Sequence, residues 1–221
     1  MTSELFDPHV DILPAAQQEI WAQLAPARGL GFVLYDGTAV ALHLGHRTSI
    51  DFDFFRAESL DKNATISAFQ FMPNARTLQE AVNTLVVDVT MPSGHVKISY
   101  FGGLTLGRIN DPLLTRDEVL LVASREDLLA TKLKAILDRA EAKDYRDIAA
   151  MLSAGTSLET ALGACAKMYR SDAAIPLKAL GFFQDGDLPT LSRSDRDLLC
   201  AARDRLRGVP KVDLRCGLSP S

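Results

Sequence analysis

The chain has 221 residues, 47% of them hydrophobic and 24% charged, with 24 Lys and Arg against 28 Asp and Glu for a net charge of −4. That composition excludes extensive disorder and disfavours a salt-driven DNA coat, which needs a basic protein. The length suits one domain with a sizeable core, or a core plus a helical appendage. Cys165, Cys200 and Cys216 are odd in number and widely spaced, which fits neither a disulfide framework nor a zinc site and suits a reducing compartment. The N-terminal MTSELFDPHVDILP carries Glu4, Asp7 and Asp11 and lacks the basic-then-apolar order of a secretory signal. No apolar run reaches the ~18 residues of a membrane span. The expectation is a soluble, cytoplasmic α/β protein.

Taken in chain order, Pro14 followed by AAQQEIWAQL predicts a first helix with Ile20, Trp21 and Leu24 on one face. Gly31 to Tyr35 is a short apolar strand, and Gly37 opens a helix that stops at Gly45. Ile50 to Phe55 alternates strictly, which predicts Ile50, Phe52 and Phe54 on one face of a strand and Asp51 and Asp53 on the other. Ser59 is placed to cap a helix over 60–71. Thr84–Val89 and His95–Phe101 read as strands of a hairpin turning at Pro92-Ser93-Gly94. Ser124 to Asp127 has capping-box form and predicts a helix from Arg125 to about Ala142. Further helices are expected from Asp144 to Leu152 and near 157–169, 174–183 and 192–206. The division expected is an α/β core over 1–110 and a helical region over 111–221.

One group of residues suits phosphate chemistry. Gly37-Thr38 lies at a strand-to-helix turn, where a glycine lets backbone N–H groups approach an anion. Asp51 and Asp53, at i and i+2 on a strand, share a face and offer hard oxygen ligands suited to Mg²⁺. Divalent ions held there clamp the oxygens of a phosphoryl displacement. His46 and Arg47 are loop donors near the carboxylates, and a metal role for His43 with His46 is disfavoured because Gly45 interrupts the helix between them. Farther on, Lys132, Ala135, Arg139 and Lys143 recur on one predicted helical face as a basic stripe, with Asp144 and Asp147 just beyond. That stripe reads either as a solvated surface or as a cationic wall for phosphates, and the two acids as its positioning partners or as surface pairs. No GxxxxGK, GxSxG or HExxH is present, which argues against a P-loop NTPase, an α/β-hydrolase and a zincin.

The segment Tyr35 to Phe55, YDGTAVALHLGHRTSIDFDFF, closely resembles the signature of the AbiEii/AbiGii nucleotidyltransferase-like toxins. Leu121 to Leu152 resembles their second signature, in the same order, and His95 to Phe101 is similar to their middle strand. The resemblance covers roughly residues 30 to 152. It implies a DNA polymerase β-like nucleotidyltransferase fold of mixed α/β type with a helical C-terminal half. It implies transfer of a nucleoside monophosphate from an NTP to an acceptor with Mg²⁺, tRNA being an acceptor in relatives, by the toxin of a toxin–antitoxin pair with a cognate antitoxin. Position by position, it implies that Gly37 and Thr38 form the phosphate-side loop and that Asp51 and Asp53 are the metal pair. Lys132 then matches the nucleotide-contacting lysine and Arg139 its basic partner, Lys143 and Asp144 match the Lys-Asp pair, and Asp147 the acid after it. Two departures stand out. Asp36 sits where relatives often carry glycine, and Lys97 and Ser99 occupy the face on which many such transferases carry a third carboxylate, with Asp88 on the neighbouring strand as a substitute. These departures motivate one alternative, a non-catalytic nucleotide- or partner-binding protein of the same fold, and the net negative charge favours another, a small-molecule (antibiotic) transferase.

Overall fold

The strand carrying the two aspartates becomes the hub of a mixed sheet because its other face is aromatic. The computed structural model describes residues 4–220. In it β3 (Asp51–Phe55) pairs antiparallel with β2 (Val33–Tyr35) on one side and parallel with β6 (Gly94–Phe101) on the other. The sheet continues through β5 (Thr84–Met91) to β4 (Ala75–Ala81) at one edge. On the other side of β2 come β8 (Leu121–Val122), β7 (Leu113–Thr115) and β1 (Leu5–Phe6) at the far edge. Phe52 and Phe54 are fully buried, and Phe54 stacks on Tyr100 at 5.5 Å. Phe32 and Phe69 complete this aromatic layer against Tyr100. Each such ring contributes about 1.5–3 kcal/mol by leaving water.

The chain divides into two compact units. The first, over 4–106, 111–123 and 216–220, holds the sheet with α1 (Ala15–Ile20), α2 (Pro26–Gly29), α3 (Asp36–Leu44) and α4 (Lys62–Ala68). Residues 111–123, which the sequence groups with the helices, supply β7 and β8 to this sheet. The second unit, over 107–110 and 124–215, packs α5 (Arg125–Asp138), α6 (Ala142–Ser153), α7 (Leu158–Tyr169), α8 (Ala174–Ala179) and α9 (Arg193–Arg205). Its core includes Leu129, Leu133, Ile148, Met151, Leu162 and Leu199, all fully buried.

Several expectations hold in detail. Gly45 ends α3 in the left-handed conformation at φ 59°, and Ser124 caps α5 by accepting from the Asp127 N–H at 3.2 Å. The hairpin of β5 and β6 forms with Met91 opposite Gly94. Others do not hold. Ile50 is 64% exposed, because pairing of β3 begins only at Asp51. The helix expected over 60–71 is the shorter α4, and its cap is Asp61, which accepts from the Ala64 N–H, rather than Ser59. The long helix expected from Arg125 to Ala142 stops at Asp138, with Arg139 extended at φ −149° and ψ 140°. The new helix start is stabilised from afar, since the Ala142 N–H donates to Asp187 Oδ1 at 2.6 Å. The ARTLQEA stretch, poor in β-branched residues, is nonetheless strand β4, because pairing with β5 overrides local preference.

Candidate active site

In the first unit, the end of β2, the start of α3 and the start of β3 converge. Cross-strand partners project to the same face, so the register Asp51–Lys97 and Asp53–Ser99 puts four polar side chains in two adjacent rows. Asp51 and Asp53 are each partly accessible, whereas Phe52 between them is buried. Lys97 Nζ lies 3.3 Å from Asp51 Oδ2. The Thr38 hydroxyl hydrogen-bonds Ser49 Oγ at 2.9 Å and also donates to the Asp51 carbonyl. Thr38 therefore ties the first turn of α3 to the first residue of β3, and its buried hydroxyl is committed to that tie. Ser49 is the residue in this arrangement that no sequence pattern singles out, since its partner Thr38 comes from a separate element.

The left-handed residue of this loop is Asp36, at φ 58°, and Gly37 lies inside α3. What Gly37 supplies is room: a Cβ there would fall 2.7 Å from Arg47 Nη2 and 3.1 Å from Ser49 Oγ. Arg47, whose Nη1 donates to the Thr48 carbonyl at 2.9 Å, thus brings its guanidinium against the N-terminal turn of α3.

Asp53 is the electrostatically strained member of the pair. Burial pushes its pKa up to about 6, the charges of Asp36 and Asp51 push the same way, and the Ser99 hydrogen bond and Lys97 pull against them. Asp88 faces the same side of the sheet as Asp51, but Lys97 stands between them in the register, and Asp88 is paired with Arg76 at 3.4 Å and His95 at 3.2 Å. It does not join the aspartate pair. His43 hydrogen-bonds the Ala123 carbonyl at 2.8 Å and stacks on Phe6, a structural use of the ring. Among the described residues no three His, Cys, Asp or Glu side chains converge as a metal cage.

The second unit holds the other expected residues. Lys132 is only 1% exposed, with its Nζ 2.6 Å from Asp144 Oδ1 and 3.0 Å from Asp147 Oδ2. Asp144 also receives Arg139 in a two-pronged pair, at 2.7 Å from Nε and 3.1 Å from Nη2. Lys143 is half-exposed and pairs with Glu141 at 2.7 Å. The stripe read along one helix is therefore split between α5, the extended Arg139 and α6. Lys132 is not part of a solvated surface; its charge is neutralised inside the fold. The two acids are the partners of the basic residues, as one of the two sequence readings had it.

The sequence profile described as "Nucleotidyl transferase AbiEii toxin, Type IV TA system" matches residues 21–211, which spans both clusters. The chain belongs to the AbiEii nucleotidyltransferase toxin family. It is also similar to an uncharacterised protein of Aquifex aeolicus, with 29% identity over 158 residues covering 70% of this chain and 74% of that protein. Two solved structures share the fold. A proposed nucleotidyltransferase of H. pylori gives a TM-score of 0.54 at 16% identity, over 86% of this chain and 90% of that one. The MenT4 nucleotidyltransferase toxin of Mycobacterium tuberculosis gives 0.55 at 14% identity, over 84% of this chain and 81% of that one. The mixed α/β nucleotidyltransferase architecture is thus shared, and the chain is an enzyme of the nucleotidyltransferase class.

AbiEii enzymes use an NTP and a divalent metal, and the donor set here fits such an ion. Two adjacent carboxylates, one made costly to ionise by its surroundings, already draw a cation, since the Lys97 ammonium sits on Asp51. A small divalent ion needs only one or two protein carboxylates when water and substrate phosphates complete its shell.

Two predictions follow from the charges. Asp53 ionises less readily in the fold than in the unfolded chain, where an aspartate titrates near ~3.9. Without metal, its contribution to stability therefore falls as pH rises from about 4 to about 6. Replacing Asp36 by glycine removes a left-handed non-glycine residue, worth about 1–2 kcal/mol at any pH, and removes one charge beside Asp53. Thermal unfolding in EDTA will show Asp36→Gly gaining more at pH 7 than at pH 4, and equal gains would contradict the coupling. Lys132→Met leaves Asp144 and Asp147 with a buried charge short of its partner, and denaturant unfolding will show a loss of about 3–5 kcal/mol. A Lys132→Met protein as stable as wild type would place that lysine outside the framework.

Proposed function

We propose that this AbiEii-family enzyme transfers a nucleoside monophosphate from an NTP to tRNA with Mg²⁺, as the toxin of a toxin–antitoxin pair in the cytoplasm. The observation that carries the proposal is the Asp51–Asp53 pair, held on one face of β3 beside the N-terminal turn of α3. No described helix is long and apolar enough to cross a membrane.

In this reading Asp51 and Asp53 hold the Mg²⁺, which supplies charge neutralisation for the phosphates. The backbone of Gly37 and Thr38 at the start of α3, with the Arg47 guanidinium beside it, grips the β- and γ-phosphates. An acceptor hydroxyl oxygen attacks the α-phosphorus and gives up its proton to water, the bond from the α-phosphorus to the oxygen bridging the β-phosphate breaks, and pyrophosphate leaves with that oxygen. Lys132 and Asp144 act from inside the second unit by positioning, a role that their burial supports over direct activation of the acceptor. Arg139 and Lys143, 37% and 49% exposed, are the more accessible cations of that cluster.

Charge segregation supports an RNA acceptor. The sheet unit carries seven Lys and Arg against fourteen Asp and Glu, net −7, whereas the helical unit carries seventeen against fourteen, net +3. Within 193–215 there are seven basic residues against four acidic ones, and a local basic surface on an acidic protein attracts a polyanion. The acidity of the sheet unit favours a second reading, a cationic small-molecule acceptor such as an aminoglycoside.

Incubation with each of four α-³²P-labelled NTPs, Mg²⁺ and total tRNA will place label on RNA with wild type and at least 100-fold less with folded Asp51→Asn. Label appearing on an aminoglycoside instead would select the second reading. Undiminished labelling by Asp51→Asn would overturn the assignment of the acid pair.

A further inference from the structure

In the helical unit, the turn after α8 carries two adjacent phenylalanines with opposite surroundings. Phe183 is engaged within the unit: its ring meets Tyr145 edge to face at 6.1 Å, and the Arg196 guanidinium lies over it at 5.8 Å. Phe182 is 45% exposed. Its N–H still bonds to the Ala179 carbonyl, so it extends the outer face of α8, on which Ile175, Lys178 and Phe182 recur at i, i+3 and i+7. All three are exposed. A basic stretch of chain is seated beside them. Gly181 leaves the room that Arg203 fills, since a Cβ there would fall 1.8 Å from Arg203 Nη1. Gly163 in α7 makes the same allowance for the Pro210 carbonyl, 2.4 Å from where its Cβ would lie. Residues 203–210 thereby run from the turn after α8 to the middle of α7. Residues 203–211 hold four cations and one acid, Asp204, which pairs with Arg203 at 2.8 Å. Arg205, Arg207 and Lys211 are exposed. Residues 174–184 hold Lys178 and no acid. Asp185 and Asp187 follow them, and Asp187 is turned to the Ala142 N–H.

We propose that Phe182 stacks on an unpaired base of the acceptor RNA while Arg205, Arg207 and Lys211 hold the phosphates next to it. This rests on the reading of RNA as the acceptor. An exposed aromatic ring set beside a run of cations matches the chemistry of a single-stranded polynucleotide. Each base offers a face that a phenyl ring can cover, and each phosphate between bases carries a negative charge. In a duplex the bases are already stacked on one another, so the ring selects unpaired nucleotides. An apolar protein surface would cover Ile175 and Phe182 but would strip water from the neighbouring cations without supplying counter-charge. Charge complementarity therefore favours the polyanion.

Fluorescence anisotropy of a fluorescein-labelled single-stranded RNA of mixed sequence, titrated with the full chain, tests this. Phe182→Ala, at an exposed position and checked for folding by circular dichroism, will weaken binding about tenfold, and Phe182→Tyr will restore it. In Phe182→Trp the added indole emission will be quenched as RNA binds, whereas Trp21, buried and the single tryptophan of the wild-type chain, will not respond. Replacing Arg205, Arg207 and Lys211 together by Gln will reduce the slope of log Kd against log salt by about 2. Wild-type RNA affinity in Phe182→Ala overturns the proposal and leaves this surface to a protein partner; label on tRNA from the wild-type enzyme would then keep the acceptor reading standing. A wild-type chain that neither binds nor labels RNA overturns the acceptor reading and the proposal with it.

Discussion

Because side chains alternate across a strand, burying Phe52 and Phe54 obliges Asp51 and Asp53 to project together from the opposite face. Two carboxylates one pleat apart, about 7 Å, repel by about 2 kcal/mol at an effective dielectric of about 20. Burial of the two aromatic rings is worth about 3–6 kcal/mol. The hydrophobic term therefore exceeds the repulsion, and the aspartates stay adjacent whether or not a metal is present. Most of what is distinctive about the sheet unit follows from that imbalance: Lys97 opposite Asp51, the Ser99 contact to Asp53, and the raised pKa of Asp53.

Around that strand, the fold spends polar side chains on alignment more than on open binding capacity. Thr38 and Ser49 hold the first turn of α3 against β3. Gly37 leaves the space that Arg47 enters, and Asp36 accepts the left-handed backbone that glycine would adopt without steric cost. A carboxylate at that position raises the local negative charge, and Lys97 and Arg47 are the nearby cations that counter it. Such a site is poised to take up positive charge.

The helical unit solves a different problem. A lysine and two aspartates that are almost completely removed from water cost desolvation energy, which only mutual pairing offsets. Arg139 adds a fourth charge, and its extended backbone lets it reach Asp144 from the break between α5 and α6. The network thus joins the two helices whose sequence forms the second family signature. Residues that look in one dimension like a cationic surface are the internal frame of the unit.

The one-dimensional pattern contains what short-range physics decides. Alternation in IDFDFF determined the strand and the shared face of its acids, Gly45 determined where α3 ends, and Ser124 with Asp127 determined where α5 begins. Two ordered signatures were sufficient to indicate the family before any contact was known. Tertiary structure alone decided matters that depend on partners distant in sequence. Ile50 is exposed because pairing starts one residue later, ARTLQEA is a strand because β5 lies beside it, and α5 stops at Asp138 because Asp187 receives the N–H of a new helix. The same holds for the site: the sequence showed that Lys97 and Ser99 share a face, but only the parallel register of β3 with β6 brought Lys97 to Asp51. Periodicity specifies which way a side chain points; what it meets there is set by the register of strands and the packing of helices, which no local pattern encodes.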